Sequence, residues 1–479
     1  MDFPRVHDAS GVRSDGPLRA VAGPVRGAFA PRRNALAVRR LDRGRALPGG
    51  ARKEADPGLR LLPARLGAAE DRAPDEPVRP PRLSRRAAAL APSSTTAVAR
   101  KAKALAATGV DVVDLGLGEP DFPTPDFVGA AGIAAIESGR TRYTDVAGEP
   151  ALRDAIAEKY RREHGIALSR ENVLVTAGAK QAVFNACQVL FEAEDEVALF
   201  CPYWVSFPEM VRLSGASPLY VPTELETHWK PIASDLAERA TERTRGVILN
   251  SPNNPTGAVV EREQLESIVE WCEARDSCMI FDETYDRFLY DGRPHVTAAS
   301  LREEHPDRIV LTGAASKTWA MTGWRLGWAI ASRELIDAMA SYQSHSTSNA
   351  SSISQRAALG ALSDPAQTDE AVARMLAEYG RRRETMVSGL AAIPGVRCLL
   401  PEGAFYAFAD VSALYGAKQV AGSAEFCERL LSETGVAAVP GDAFGEDDCV
   451  RFSFAAPLAS IEEGVGRIAA WAAAPVRSA

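Results

Sequence analysis

The sequence is poor in residues that bind metals or form disulfides. Its 479 residues include seven cysteines and six histidines. No two cysteines have Cys-x-x-Cys spacing, and the histidines do not cluster with them. A zinc site and a disulfide framework are therefore disfavoured, and a reducing cytoplasm is the expected setting. Long apolar runs are also missing: none approaches the roughly 20 residues of a membrane helix. Nor is there an excess of positive charge. The net charge is −8, so neither a nucleic-acid nor a membrane partner is expected.

The charge is unevenly spread. Residues 1–86 hold 19 Lys and Arg against 10 Asp and Glu, with no Tyr or Trp. They are rich in Arg, Pro, Gly and Ala and show no sustained apolar period. Such a segment buries too little surface to offset the entropy of ordering, so a disordered extension is expected. It lacks the apolar core of a secretory signal, and its acids argue against a transit peptide. The alternative is an upstream stretch included through a misplaced start codon. No methionine stands between Met1 and Met210, so a shorter product needs another start codon.

From about residue 127, short apolar runs alternate with helical patterns. EPALRDAIAEKYRREHG puts Leu152, Ala155, Ile156 and Tyr160 on one helical face. NVLVT (172–176), EVALF (196–200), RGVIL (245–249), CMIF (278–281) and RIVL (308–311) read as strands. This alternation predicts an α/β fold with a mostly parallel sheet covered on both faces. After about residue 368 a long charged helix precedes the short strands FYAFADV, VAAVPG and CVRFSFA, which predicts a smaller α+β domain. The expected organisation is an extension (1–86), a segment joining the small domain (87–126), a large domain (127–367) and the small domain (368–479).

Gly178, Trp204, Asn254, Asp282 and Lys317 each follow one of the five runs closely. Ligands of an open parallel sheet bind beyond the carboxyl ends of its strands, so these residues should meet in one crevice. Most lysines are solvated. Lys317, in GAASKTWAMTGWRLGW, instead ends a buried run and precedes aromatics. A partly desolvated lysine has a lowered pKa and can form a Schiff base. The usual carbonyl partner, pyridoxal phosphate, needs an acid at its ring nitrogen, an anion site and a platform for its ring. Asp282, in FDETYDR, supplies the acid or an ordinary helix N-cap. Tyr285 and Asn254 can reach a phenolic oxygen, although SPNNPTG also marks a turn. Gly178, Ala179 and Lys180 open a helix whose N–H groups attract anions, or make a plain strand-to-helix turn. Arg325, folded back by a turn at Gly323, can fork onto a phosphate. Trp204 stacks on the ring or fills a core position.

In chain order, LSRRAAALAPSSTTAV, LGLGEPDFPTP, TRYTDVAGEPALRDAI, PYWVSFPEM, NSPNNPTGAV, SKTWAMTGWRLGW and CVRFSFA run from about Leu83 to the C terminus. Together they resemble the fold-type I pyridoxal-phosphate enzymes, within them the class I aminotransferases of the prokaryotic aspartate (aspartate/prephenate) branch. The resemblance implies that the large domain binds pyridoxal 5'-phosphate. It implies an enzyme moving the amino group of L-aspartate to 2-oxoglutarate, with the cofactor on Lys317 as an imine. Asp282 would meet the ring nitrogen, Asn254 and Tyr285 the phenolic oxygen, and Trp204 the ring face. Arg325, Gly178, Ala179 and Lys180 would surround the phosphate. Tyr143 would reach the phosphate from a second subunit, which implies a homodimer. Arg451 would fork onto the substrate α-carboxylate, and Gly118 would approach the substrate by its backbone. Asn254 and Trp204 would touch it too, and Thr95 and Lys180 would recognise a dicarboxylate.

The chain departs from the family pattern twice. Ala314 stands where relatives often carry a glycine or small hydroxyl, and Ala91 where they often carry Lys or Arg. Rival readings are an aminotransferase for prephenate or for aromatic or neutral amino acids, and a pyridoxal-phosphate lyase. A non-catalytic aminotransferase-like regulator would need a DNA-binding helix pair, which residues 1–86 do not show.

Overall fold

All residues from Glu196 to Cys201 are buried, as are all from Ile309 to Ala314. Runs of this kind need cover on both faces. The computed structural model describes residues 81–90, 94–302, 304–305 and 307–475. The expected disordered extension, apart from residues 81–86, lies outside the described residues, and so does Ala91.

A two-residue strand, β1 (Val113–Asp114), precedes the large sheet. That sheet comprises β2 (Val173–Thr176), β3 (Glu196–Cys201), β4 (Ser217–Pro222), β5 (Thr244–Asn250), β6 (Cys278–Asp282), β7 (Ile309–Ala314) and β8 (Gly327–Ile330), in the order β2-β8-β7-β6-β5-β3-β4. Pairing is parallel from β4 through β7. β8 runs antiparallel to both β2 and β7. Side chains alternate across the sheet. Ile248, Ile280 and Val310 pack with Ala182, Val183 and Ala186 of the helix Ala179–Leu190. Val247, Leu249, Met279, Phe281 and Leu311 pack on the other face with Leu265, Ile268 and Val269 of the helix Arg262–Ala274.

The five runs expected as strands are strands. Two other strands of this sheet, β4 and β8, were not anticipated. β4 (SPLYVP) contains two prolines, which a central strand does not tolerate; it lies at the sheet edge, paired only with β3. β8 begins within the Lys317 motif, just after the turn that Arg325 ends.

The C-terminal strands are β9 (Arg397–Cys398), β10 (Tyr406–Asp410), β11 (Val436–Ala437), β12 (Val439–Pro440) and β13 (Cys449–Ser453). Four form an antiparallel sheet in the order β12-β13-β10-β9, while β11 pairs in parallel with β1. VAAVPG is thus split between two sheets. On the β1–β11 pairing we propose that residues 87–126 join those after 368 in one smaller domain. A separate apolar cluster supports it, including Val113, Leu115, Met386, Phe405, Phe452 and Trp471.

Ile280 lies at the centre of β6 with no exposed surface. Ile280→Ala should cost about 2–5 kcal/mol, measured as a fall in urea unfolding free energy with an unchanged slope.

Candidate active site

β7 ends at Ala314, and the short helix Ala315–Thr318 turns Lys317 into a cavity of about 630 Å³. Its Nζ donates to the Gly118 carbonyl. Burial lowers the amine's pKa to about 8, from 10.5. Glu119 and Asp282 oppose that shift, while Arg451 and Arg325 add to it.

Asp282 ends the adjacent β6. Burial pushes its carboxyl up to about 6, against the hydroxyl and backbone N–H of Thr284, which hold it at 2.6 and 3.0 Å. Asn250, its register partner on β5, donates Nδ2 to the Asp282 carbonyl at 2.9 Å. The Asn250 Oδ1 accepts from the Asn254 N–H at 2.8 Å. One asparagine therefore fastens the SPNNPTG turn to the strand end that carries Asp282. The hydroxyls of Tyr285 and Tyr406 are 2.8 Å apart and hydrogen-bonded.

The helix Ala179–Leu190 starts without a side-chain cap, its N-cap Gly178 at φ 87. A Cβ on Gly178 would lie 2.8 Å from Arg325 Nη2, so only glycine lets the guanidinium approach without a shift. A Cβ on Gly327 would lie 2.4 Å from the Ala179 nitrogen, so β8 also packs tightly under this helix turn. Arg325 is itself left-handed, at φ 56, and its Nη1 donates to the Thr322 carbonyl at 2.9 Å. The turn expected at Gly323 is present as the 3-10 helix Thr322–Trp324, and Arg325 ends it. Positive φ in such a residue is uncommon and persists where surroundings enforce it.

Arg451, on β13, is 2% exposed. Its Nη1 donates to Asn254 Oδ1 at 2.9 Å and its Nη2 to the Gly116 carbonyl at 2.8 Å. The guanidinium lies 4.4 Å from the centroid of the Tyr406 ring. Its Nε is buried without a partner, and among the described residues Arg451 forms no ion pair. Lys180 Nζ lies 4.7 Å over the Trp204 ring and 3.1 Å from Ser206 Oγ. Loss of surrounding water, then the nearby Arg325, lowers its pKa.

Thr95, Gly118, Ala179, Lys180, Trp204 and Asn254 line this one cavity, as do Asp282, Tyr285, Lys317, Arg325 and Arg451. Gly178 lies just behind, against Arg325. Tyr143 is the exception: it is 91% exposed and lines a different surface hollow with Arg140, Arg142 and Arg356. Ala314 lines the cavity, so the hydroxyl missing from the sequence is missing from its wall. Sequence reasoning did not single out Asn250, Glu119 or Tyr406. Tyr406 carries one available signal, being the only hydroxyl in FYAFADV. Among the described residues no group of His, Cys, Asp or Glu is arranged to hold a metal ion, and no helix is long and apolar enough to cross a membrane.

Residues 110–468 match the model of aminotransferase class I and II. The chain belongs to that family. This aminotransferase is 40% identical over 393 residues to the aspartate aminotransferase of Bacillus subtilis, covering 81% of this chain and 98% of the relative. It is 43% identical over 398 residues to the aspartate/prephenate aminotransferase of Cereibacter sphaeroides, covering 82% and 98%. The solved aspartate aminotransferase of Thermus thermophilus with maleate superposes with a TM-score of 0.77 at 40% identity, covering 81% of this chain and 99% of that one. The fold is accordingly the fold-type I α/β architecture of these enzymes.

The Lys317 amine is protonated below its pKa and nucleophilic above it. Acylation of Lys317 in cofactor-free aminotransferase should therefore rise through about pH 8, followed by peptide mass spectrometry. A midpoint near 10.5, the ordinary lysine value, would contradict the burial argument.

Proposed function

We propose that this aminotransferase transfers the amino group of L-aspartate to 2-oxoglutarate, with pyridoxal 5'-phosphate held in the Lys317 cavity. The observation that carries the reading is Arg451: a buried guanidinium with an unpartnered Nε, in the same cavity as an amine of lowered pKa. A buried cation without a carboxylate is costly. An α-carboxylate from an amino or oxo acid supplies the missing charge through a forked pair.

The residues present fit the cofactor. The uncapped helix start at Ala179, with Arg325 against Gly178, suits a phosphate. Asp282 suits a ring N–H⁺, which would offset the effect of burial and favour its ionised form further. Asn254 and Tyr285 suit the phenolic oxygen, and Trp204 one face of the ring. When bound, pyridoxal 5'-phosphate supplies an aldehyde that captures amines and a ring that takes up the electron pair left by Cα deprotonation. The chain's own part is proton transfer and placement. Neutral Lys317 Nζ accepts the Cα proton of the amino donor, while Arg451 and the Gly118 backbone hold that donor in line. General acid–base help of this kind contributes about 10²–10⁴-fold.

The aspartate assignment draws on the names of the relatives and on Lys180. Lys180 forms no ion pair among the described residues and lies in the same cavity, free to meet a distal carboxylate. Thr95, on the opposite helix Ser94–Ala106, lines that cavity too. Use of prephenate is the second reading, supported by the Cereibacter relative's name. We also infer a homodimer in which Tyr143 reaches the neighbouring subunit's phosphate. Tyr143's exposure supports it, as do Ile133 and Ile136, 58% and 54% exposed on the helix Asp126–Glu137. An active monomer would contradict that inference.

A panel of amino donors with 2-oxoglutarate and with prephenate tests the reading. Steady conversion of aspartate and 2-oxoglutarate to glutamate is expected; turnover with aromatic donors but not aspartate would overturn the assignment. Lys317→Ala should abolish turnover with every donor. Lys180→Met should raise KM for aspartate about tenfold or more, about 1.4 kcal/mol, and leave that for alanine little changed. Equal effects on both donors would remove Lys180 from distal recognition.

A further inference from the structure

Behind the cavity lies a buried ion cluster that the chemistry above does not use. Lys159, on the helix Pro150–His164, is 2% exposed. Its Nζ sits 2.8 Å from Asp286 Oδ2 and 2.9 Å from Glu163 Oε2. Burial opposes its charge, but Asp286, Glu163 and Glu283 outweigh burial and raise its pKa. The other oxygen of Asp286, Oδ1, accepts from the Thr318 hydroxyl at 3.3 Å. Glu283, 1% exposed, takes the Tyr160 hydroxyl and lies 2.9 Å from His295 Nε2. None of Lys159, Glu163, Glu283, Asp286 and Thr318 lines the cavity.

The connectivity is specific. Asp286 directly follows Tyr285, and Thr318 directly follows Lys317. One carboxylate therefore joins the segment bearing Asp282 and Tyr285 to the turn bearing the reactive amine, and Lys159 fixes that carboxylate. Apolar residues of equal volume usually stabilise a core as well as a buried ion cluster does, or better. Glu163 is partly exposed, but Lys159, Asp286 and Glu283 are buried, and their hydrogen bonds fix the relative positions of the segments they join. A displacement of about 1 Å in a reacting group is enough to cost on the order of 10²-fold in rate.

We propose that Lys159 and Asp286 are positioning residues for transamination, acting through Thr318 to hold the Lys317 turn in place against Tyr285 and Asp282. The proposal rests on the aminotransferase reading above. Thr318→Val tests it most cleanly, because it keeps shape and branching and replaces only the hydroxyl, with a methyl group. It should lower kcat about 3–10-fold with KM for aspartate within about twofold. In cofactor-free protein the pH midpoint for Lys317 acylation should move by about half a unit or more. Thr318→Ser should restore both. Lys159→Met should act in the same direction and more strongly; if it fails to fold, Thr318→Val decides alone. A Thr318→Val enzyme with wild-type kcat and midpoint would overturn the proposal, whatever its Tm. Wild-type protein that fails to turn over aspartate would instead overturn the functional reading, so the two failures are distinguishable.

Discussion

A lysine amine kept short of water, yet open to a cavity, is the constraint on which the rest depends. Water around Lys317 would raise its pKa toward the ordinary 10.5 and leave far less of the neutral amine that attacks a carbonyl. Removing water lowers its pKa to about 8, close enough to neutrality for proton transfer in both directions. The surrounding charges adjust this value. Arg451 and Arg325 push it down, Glu119 and Asp282 push it up, and the Gly118 carbonyl directs the Nζ.

The fold meets this constraint with strand ends. β5, β6 and β7 are parallel, so Asn250, Asp282 and Ala314 finish at one edge of the sheet. The turns after them deliver Asn254, Tyr285 and Lys317 to one place. The end of the cavity at Ala179 is built differently, from an uncapped helix and a left-handed arginine that a glycine admits. Arg451 comes from the C-terminal sheet, yet it bonds Asn254 of the large sheet's loops and Gly116 next to β1. This buried cation therefore links the C-terminal sheet to the loops of the large sheet.

Much of the cavity lining was legible in the sequence because Trp204, Asn254, Asp282 and Lys317 follow short apolar runs, and such runs mark the presence of buried strands clearly. What was not legible depends on three-dimensional pairing. The prolines of β4 argue against a strand until its edge position is known. The turn near Lys317 does span Gly323, as composition suggests, but nothing in the sequence marks Arg325 as the residue that ends it at φ 56. Tyr406 and Asn250 matter through partners far away in sequence, and no local pattern marks such pairs. Lys159 reads as one more charge on an amphipathic helix; only packing shows that it is buried between two carboxylates. Tyr143 resembles a site residue by motif, yet its own chain leaves it at the surface, as a role across subunits requires.

The central claim is that residue 317 carries the reacting amine. Borohydride reduction of the pyridoxal 5'-phosphate-loaded protein, followed by peptide mapping, tests it directly. The account predicts one stable phosphopyridoxyl label, on the peptide containing Lys317. A label on Lys180 or any other lysine, or no label in fully loaded protein, would contradict it.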